Sequence, residues 1–196
     1  MKVKMAFLLI SIMLTSCAVF EQTVNTSKVK FSFDRVGAAS IAGIDVMHLQ
    51  SINSLSFSDI ARATALLSSD QVPLDMTIYI KSENPVVNTL ALTLVALDWV
   101  LILDGHETAR GVLNTDVPLP AGQGRSIPIK LSLNMIDFFK GNNTMDLLKL
   151  AMAFAGAGDK PPRGVALKIR PTIGTPIGQI KYKEILIEPD KASLSV

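Results

Sequence analysis

Apolar and polar residues alternate along much of this chain, which is the pattern of β-strands with one buried face. The clearest case is residues 74–80, where Leu74, Met76, Ile78 and Ile80 are separated by Asp75, Thr77 and Tyr79. The same pattern predicts further strands at residues 28–33, 44–52, 125–133, 164–170 and 178–187. Two stretches rich in Gly, Ala or Pro, residues 36–43 and 171–178, are interpreted as turns or irregular links.

The most regular stretch is residues 82–133. Asn84-Pro85 favours an extended residue before the proline and ends the preceding strand. The apolar residues that follow change parity, because Leu90, Leu92 and Leu94 are even-numbered whereas Leu97, Trp99, Leu101 and Leu103 are odd-numbered. A strand changes parity only through an extra residue, so we predict a β-bulge near Val95-Ala96.

A tight hairpin follows the bulged strand. Asp104-Gly105 suits a type I′ turn, which needs two positive φ values, so residues 106–113 are predicted to return as the partner strand. Pro118, Pro120, Gly122 and Gly124 then form a corner. Pro128 has no N–H to donate, so the strand at 125–133 is predicted to lie at a sheet edge.

Helical spacing occurs in three short segments. A capping Ser58-Asp59 precedes a helix predicted at residues 59–68, and residues 135–139 make one further turn. A helix at residues 144–155 is apolar around most of its circumference, through Leu147, Leu148, Leu150, Ala151, Met152 and Phe154. This helix either closes an open end or edge of the fold, or covers an apolar cavity or presents a partner surface.

Many short strands without β–α alternation predict a mainly β protein, an antiparallel β-sandwich with two short helical insertions. No repeat or change in composition divides residues 28–190, which we interpret as a single domain. At 196 residues the chain is long enough to bury a core without disulfides or metal.

The N-terminus has the features of a secretory signal. Two lysines precede an apolar run at residues 5–14 that is too short to span a bilayer, and Leu14-Thr15-Ser16-Cys17 follows. This motif resembles the bacterial lipobox, which implies a lipoprotein signal peptide at residues 1–16 and acylation of Cys17 by fatty acids such as palmitate. Residues 17–27 would form a tether. An ordinary signal peptide with an incidental cysteine is the alternative.

The charge balance excludes one class of partner. The chain has 19 Lys and Arg against 17 Asp and Glu, and two of the lysines lie in the signal segment. The mature chain is therefore neutral, which leaves no electrostatic case for nucleic-acid binding. Cys17 is the only cysteine, so an acylated Cys17 leaves no thiol for a disulfide, a nucleophile or a metal ligand.

The order of motifs in residues 82–133 resembles the late embryogenesis abundant family 2, or water stress and hypersensitive response (WHy), domain. The resemblance is carried by Asn84-Pro85, the strand with Trp99, Asp104-Gly105, the return strand to Gly111, and Val117-Pro118 through Ile129. It implies an immunoglobulin/fibronectin III-like sandwich, no catalytic residues, and a role in desiccation and stress tolerance. Bacterial members are often secreted or lipid-anchored.

Other chemistry-bearing residues have simpler interpretations. His48 and His106 lack further ligands at metal-binding spacing, and Asp98, Asp104 and Glu107 are interpreted as a solvated face around the hairpin. Trp99 is expected in the core, with ligand stacking as the alternative. We therefore predict no catalytic, cofactor or metal site.

The predicted protein is a non-enzymatic, lipid-anchored module of the bacterial cell envelope that protects against stress or binds an envelope protein. The alternative is a carrier that holds an apolar ligand such as a lipid between the sandwich and the helix at 144–155. Ala18 follows the cysteine where an aspartate would signal retention, so diderm sorting rules imply the outer membrane.

Overall fold

The computed structural model describes residues 29–49, 52–88, 92–103, 105–139 and 164–189 of the chain. The described helices are a short 3-10 turn Ile52–Ser54, α1 (Phe57–Ser68) and α2 (Met135–Phe139). The described strands are β1 (Lys30–Ile41), β2 (Ile44–Asp45), β3 (Pro73–Glu83), β4 (Leu92–Leu103), β5 (His106–Leu119), β6 (Gly124–Asn134), β7 (Val165–Thr175), β8 (Gly178–Lys181) and β9 (Ile185–Ile187).

The strands form two antiparallel sheets that enclose one hydrophobic core. Sheet I has the order β2-β1-β3-β6, and sheet II has the order β5-β4-β7-β8, with β9 also paired to β7. Alternate residues of each central strand are buried, such as Ile78 and Ile80 in β3 and Leu97 and Leu101 in β4. Full burial of one such side chain stabilises the fold by about 1.5–3 kcal/mol. The predicted mainly β, antiparallel sandwich with two short helices is confirmed.

The predicted bulge in β4 is confirmed. The pairing of β4 with both β5 and β7 shifts register between Leu94 and Ala96. Leu94 and Leu97, on the two sides of this shift, are both fully buried. The extra residue therefore keeps one face of the strand turned to the core although its sequence parity changes.

The predicted hairpin is also confirmed in its register. Leu103 pairs with His106, which leaves two residues for the turn, and Gly105 has a φ of 81°. Asp104 itself lies outside the described residues. The return strand is longer than predicted because β5 continues to Leu119, so Pro118 lies within the strand and the corner is confined to residues 120–123.

Both strands that carry an internal proline are edge strands. β5 pairs only with β4, and β6 pairs only with β3. Pro118 in β5 and Pro128 in β6 therefore need no N–H for a second neighbour. The prediction of an edge position from Pro128 is confirmed.

The prediction of a turn at residues 36–43 is wrong, since β1 runs on to Ile41. Two register shifts, between Phe33 and Arg35 and between Val36 and Ala38, change the parity of the buried positions and so hide the alternation. Gly37 is needed in this strand because the ring of Tyr79 occupies the place of a Cβ there. The first strand also begins at Lys30 rather than at residue 28.

The prediction of a strand at residues 44–52 is wrong too, because β2 comprises only Ile44–Asp45. The Asp45 carboxylate accepts a hydrogen bond from the backbone N–H of Met47 at 2.9 Å and lies 2.9 Å from His48 Nδ1. A side-chain acceptor two residues before its donor closes an Asx turn, which bends the chain away from the sheet.

The closing strands differ from the prediction as well. β7 continues through residues 171–175, so the predicted corner at 171–178 shrinks to residues 176–177. The predicted strand at 178–187 is divided into β8 and β9. The division lies opposite Pro171, which has no N–H to donate and whose carbonyl instead accepts a hydrogen bond from Tyr182 N at 2.8 Å.

The helix predicted at residues 59–68 is confirmed as α1, but it begins two residues earlier. Its cap is Ser56 rather than Ser58: the Ser56 hydroxyl accepts from Asp59 N at 3.2 Å, and the Asp59 carboxylate accepts from Ser56 N at 3.1 Å. No residue of α1 is buried. The short turn at residues 135–139 is confirmed as α2.

Three predicted segments lie outside the described residues: the signal peptide at 1–16, the tether at 17–27 and the helix at 144–155. Within the described part of the chain, no helix is both long enough and apolar enough to cross a membrane.

Candidate functional site at the N-terminal end of the sandwich

Several chain segments converge at the end of the sandwich where β1 begins. Lys30 pairs with Glu83 at the end of β3, and Glu83 pairs with Gly124 at the start of β6. In sheet II, Leu92 pairs with Leu119 at this same end. The N-terminal end, as we call it, comprises residues 29–30, 84–88, 120–123 and 175–178.

Asn84 connects these segments through buried hydrogen bonds. Its Nδ2 donates to the Leu119 carbonyl at 2.7 Å, and its Oδ1 accepts from Asn88 Nδ2 at 2.5 Å. The backbone of Asn84 also bonds with Gln123 O at 3.1 Å and with Gly122 N at 2.8 Å. Asn84 is only 2% exposed. A side-chain amide is needed here because it donates to one segment and accepts from another at the same time.

Two aliphatic side chains are exposed at the tip of the turn that follows Asn84. Asn88 N donates to Pro85 O at 3.1 Å, which closes a turn with Val86 and Val87 as its central residues. Val86 is 77% exposed and Val87 is 55% exposed. Ile177, in the turn between β7 and β8 at this same end, is 58% exposed. Such side chains are normally turned inward, so three at one end form a candidate interaction surface.

Positive charge exceeds negative charge around these turns. Lys30 and Lys81 line a shallow depression of about 350 Å³ together with Glu83 and Val86. Lys81 Nζ lies 2.7 Å from Glu83 Oε1; this hydrogen bond raises the pKa of Lys81 and lowers the pKa of Glu83. Arg125, next along β6, adds a third cation, so the described side chains of this end favour an anionic surface.

The polar residues around the hairpin lie on the outer face of sheet II, as the sequence predicts. Glu107 Oε1 lies 2.6 Å from Lys168 Nζ, and Asp98 Oδ2 lies 2.7 Å from Lys181 Nζ. The hydrogen bond from Lys168 is the main reason that the pKa of Glu107 is lowered. These carboxylates are held as ion pairs with neighbouring strands.

The two histidines lie apart from this cluster or from each other's ligands. His48 Nδ1 bonds with Asp45, and both side chains are exposed to solvent. His106 is an exposed residue at the start of β5. Among the described ranges, no three His, Cys, Asp or Glu side chains are arranged to hold a metal ion.

Trp99 is half-buried and packs against the core from β4. Its indole lies across Gly111, the paired residue of β5: a Cβ on Gly111 would come within 2.6 Å of Trp99 Cζ2. The predicted core position is therefore correct in direction, although the ring reaches the half-buried flank beside β5.

The inner face of β5 is more open than that of β4. Ala109, Leu113 and Val117 contact the core but are only half-buried, whereas Leu97 and Leu101 of the adjacent strand are fully buried. Leu133 and Ile136, at the end of β6, are also only partly buried. This flank is a second apolar feature of the fold.

The sequence-predicted lipid-attachment residue, Cys17, lies outside the described residues. So does the predicted apolar-ligand or partner surface of Leu147, Leu148, Leu150, Ala151, Met152 and Phe154. The sequence interpretation did not identify Val86, Val87 or Ile177. The available signal was that each lies directly after a proline, within a turn, where an apolar residue has no inward side to occupy.

No protein-family model and no curated protein matches this chain. Solved structures with a related outline include a protein from Archaeoglobus fulgidus, with 14% identity over 58% of this chain and 80% of that chain and a TM-score of 0.39. A candidate late embryogenesis abundant protein, solved in solution, has 14% identity over 93% of this chain and 85% of that one, with a TM-score of 0.33.

A third similar structure is the ApaA protein of Bordetella pertussis, with 9% identity, 83% and 96% coverage of the two chains and a TM-score of 0.30. All three TM-scores are below 0.5. The likenesses therefore carry no argument about activity, and family membership is taken up below on the residues themselves.

Proposed function

We propose that this protein is a non-enzymatic, lipid-anchored β-sandwich of the bacterial cell envelope, of the late embryogenesis abundant family 2 type, which protects against stress or binds an envelope partner. The observation that carries the proposal is the position of Cys17. The only cysteine of the chain stands at the end of the apolar run, directly after Leu14-Thr15-Ser16. Two or more acyl chains on this residue would make membrane attachment stable.

The fold supports a protein held by its N-terminus. Val29 leads into β1 at one extreme of the sandwich, and Lys30 is the first paired residue. Nothing in the described core depends on the residues before Val29. The sandwich can therefore stand at the end of a tether with its core complete.

The contacts of the motif residues support the family assignment. Asn84 of the Asn-Pro motif joins β3, β5 and the 120–123 corner through its hydrogen bonds. Gly105 has the positive φ that the hairpin needs, and Gly111 makes room for Trp99. Each motif residue thus has a defined structural task in a sandwich, which is what a scaffold family without catalytic residues would retain.

The anchor is tested by expressing the full chain and its Cys17→Ser variant in bacteria with an alkyne analogue of palmitate. We expect label on the natural chain, none on the variant, and release of the variant from the membrane fraction or its retention as unprocessed precursor. Equal labelling of the two chains would refute the anchor.

The protective role is tested separately by drying a labile enzyme with the purified protein. A larger surviving activity than with a folded control protein of equal mass and concentration supports protection. Equal survival would leave partner binding as the role, to be identified by crosslinking in intact envelopes.

A second candidate function is the carriage of an apolar ligand such as a lipid. The half-buried inner face of β5, with Leu113 and Val117, favours it because these side chains offer apolar surface that the two sheets do not fully cover. Native mass spectrometry of the purified chain should then show a co-purified lipid. Its loss in a Leu113→Asn variant, with binding retained in a Val112→Asn variant on the outer face, would locate the site.

A further inference from the structure

We infer that the N-terminal end of the sandwich lies against the membrane surface, with Val86, Val87 and Ile177 inserted into the headgroup region. This inference rests on the proposed anchor at Cys17 and adds a contact that the anchor does not require. A lipid chain alone would hold the domain at any orientation. The described surface favours one orientation.

The first argument is the placement of exposed apolar side chains. Val86, Val87 and Ile177 are 77%, 55% and 58% exposed, and all three lie in turns at the end where the chain enters. Turns without strand partners can enter a lipid interface without breaking a ladder of backbone hydrogen bonds. Branched aliphatic side chains are the type that gains from leaving water there.

The second argument is charge. Lys30, Lys81 and Arg125 outnumber Glu83 at this end, and Lys81 and Glu83 already neutralise each other. The remaining positive charge is complementary to anionic phospholipid headgroups. An apolar tip surrounded by cations matches the layered chemistry of a bilayer surface, with hydrocarbon inside and phosphate outside.

The third argument is the reach of the chain, which decides between two exposed apolar features. Helix α1, at the opposite end of β1, exposes Phe57 (88%) and Ile60 (52%). β1 has 12 residues and is therefore about 40 Å long. The 12 residues from Cys17 to Val29 span at most about 40 Å, so α1 could reach the membrane only with this segment fully extended. The N-terminal end can reach it at any extension.

The test uses the full chain with single added cysteines, since an acylated Cys17 does not react with thiol probes. Val86→Cys is labelled with an environment-sensitive fluorophore and reconstituted into vesicles of phosphatidylethanolamine and phosphatidylglycerol at 3:1. Phe57→Cys and Val112→Cys, on exposed apolar residues of α1 and β5, are the matched controls. Quenching by nitroxide on the lipid acyl chains reports insertion.

We expect the probe at residue 86 to be quenched by acyl-chain nitroxide at least threefold more than the probes at 57 and 112, and to be shielded from aqueous iodide. Equal quenching at the three positions would overturn the inference. Shielding from iodide without lipid quenching would mean that a protein, or a second copy of this chain, covers this end, which also overturns it.

Failure of the anchor is distinguished by probe labelling of the chain without an added cysteine. If Cys17 reacts with the thiol probe, the anchor is refuted; the quenching comparison is then made in a Cys17→Ser background with vesicles added from outside. Quenching at residue 86 in that background would retain the membrane contact, and its absence would refute the contact as well.

Discussion

Trp99 of β4 and Gly111 of β5 form a cross-strand pair in which the indole occupies the space above the glycine. A Cβ on Gly111 would lie 2.6 Å from Trp99 Cζ2 and 2.9 Å from Cε2. These distances are shorter than any van der Waals contact between carbons. The aromatic ring and the glycine are therefore one structural unit that closes the flank of sheet II.

Gly111→Ala should destabilise the fold by about 1–3 kcal/mol, because the added methyl group forces the indole out of its place. The matched control is Gly124→Ala, where the nearest atoms to an added Cβ are 3.4 Å away and little change is expected. Urea unfolding followed by tryptophan fluorescence measures both, since Trp99 is the only tryptophan. A Trp99→Leu background should remove most of the difference. Equal stability of the two alanine variants would contradict the account of this pair.

Asn84→Ala should cost about 2–4 kcal/mol of the free energy of unfolding, since it leaves the buried Leu119 carbonyl and the Asn88 amide without their partner. Asn114→Ala, at an exposed position of β5, should change stability by less than about 0.5 kcal/mol. Thermal unfolding by circular dichroism compares the two. A small effect of Asn84→Ala would show that the connections at the N-terminal end hold without this amide.

Alkaline pH should weaken the fold through Tyr182. Burial raises the pKa of Tyr182 from 10.0 to about 12, partly opposed by a hydrogen bond with the Val29 backbone. Because the folded-state pKa is the higher one, this stabilisation is complete below pH 10 and is lost as the pH rises to 12. We expect a loss of about 1–2 kcal/mol across this range.

The control is Tyr182→Phe, which keeps the edge-to-face contact with Phe31 at a centroid distance of 6.2 Å but has no phenol to ionise. Its stability should fall less than that of the natural chain between pH 10 and 12. Parallel curves for the two proteins would show that other groups cause the alkaline loss.

Removal of the α1 cap should be a local event. Ser56→Ala abolishes the reciprocal hydrogen bonds with Asp59 and should weaken the helix by about 1 kcal/mol. No residue of α1 is buried, so global unfolding should hardly change. Hydrogen exchange measured by mass spectrometry should show faster exchange in residues 57–68 alone. Faster exchange in β3 as well would show that α1 supports the sandwich.

The sequence predicted those elements whose side-chain pattern is set by the core alone. In β4 a single extra residue changes parity between long runs of leucine, so the bulge at 95–96 could be located from Leu94 and Leu97. In β1 two bulges follow each other closely, around Asp34 and Gly37. The alternation is then too short to recognise, and the glycine and alanines there resemble a link.

Other errors arose where one polar group or one missing N–H decides the path of the chain. The Asp45 carboxylate ends β2 by bonding with Met47 N, although the residues that follow still alternate. Pro171 divides β8 from β9 from within the neighbouring strand β7, which no local pattern in residues 178–187 could show.

The candidate site was only partly predictable for a related reason. The lipobox motif points to Cys17 by itself, whereas Val86 and Ile177 belong to separate turns that the fold brings to one end. Apolar residues in a turn have no periodicity to reveal them. Only the register of the strands, with Lys30 opposite Glu83, shows that these turns share the end where the chain enters.

The central claim, that the protein is held to a membrane through Cys17, is tested most directly by mass spectrometry of the mature protein extracted from bacterial envelopes. The account predicts an N-terminal peptide that begins at Cys17 and carries a diacylglyceryl group on its sulfur. A mature chain that begins at any other residue, or that begins at Cys17 with a free thiol, would contradict it.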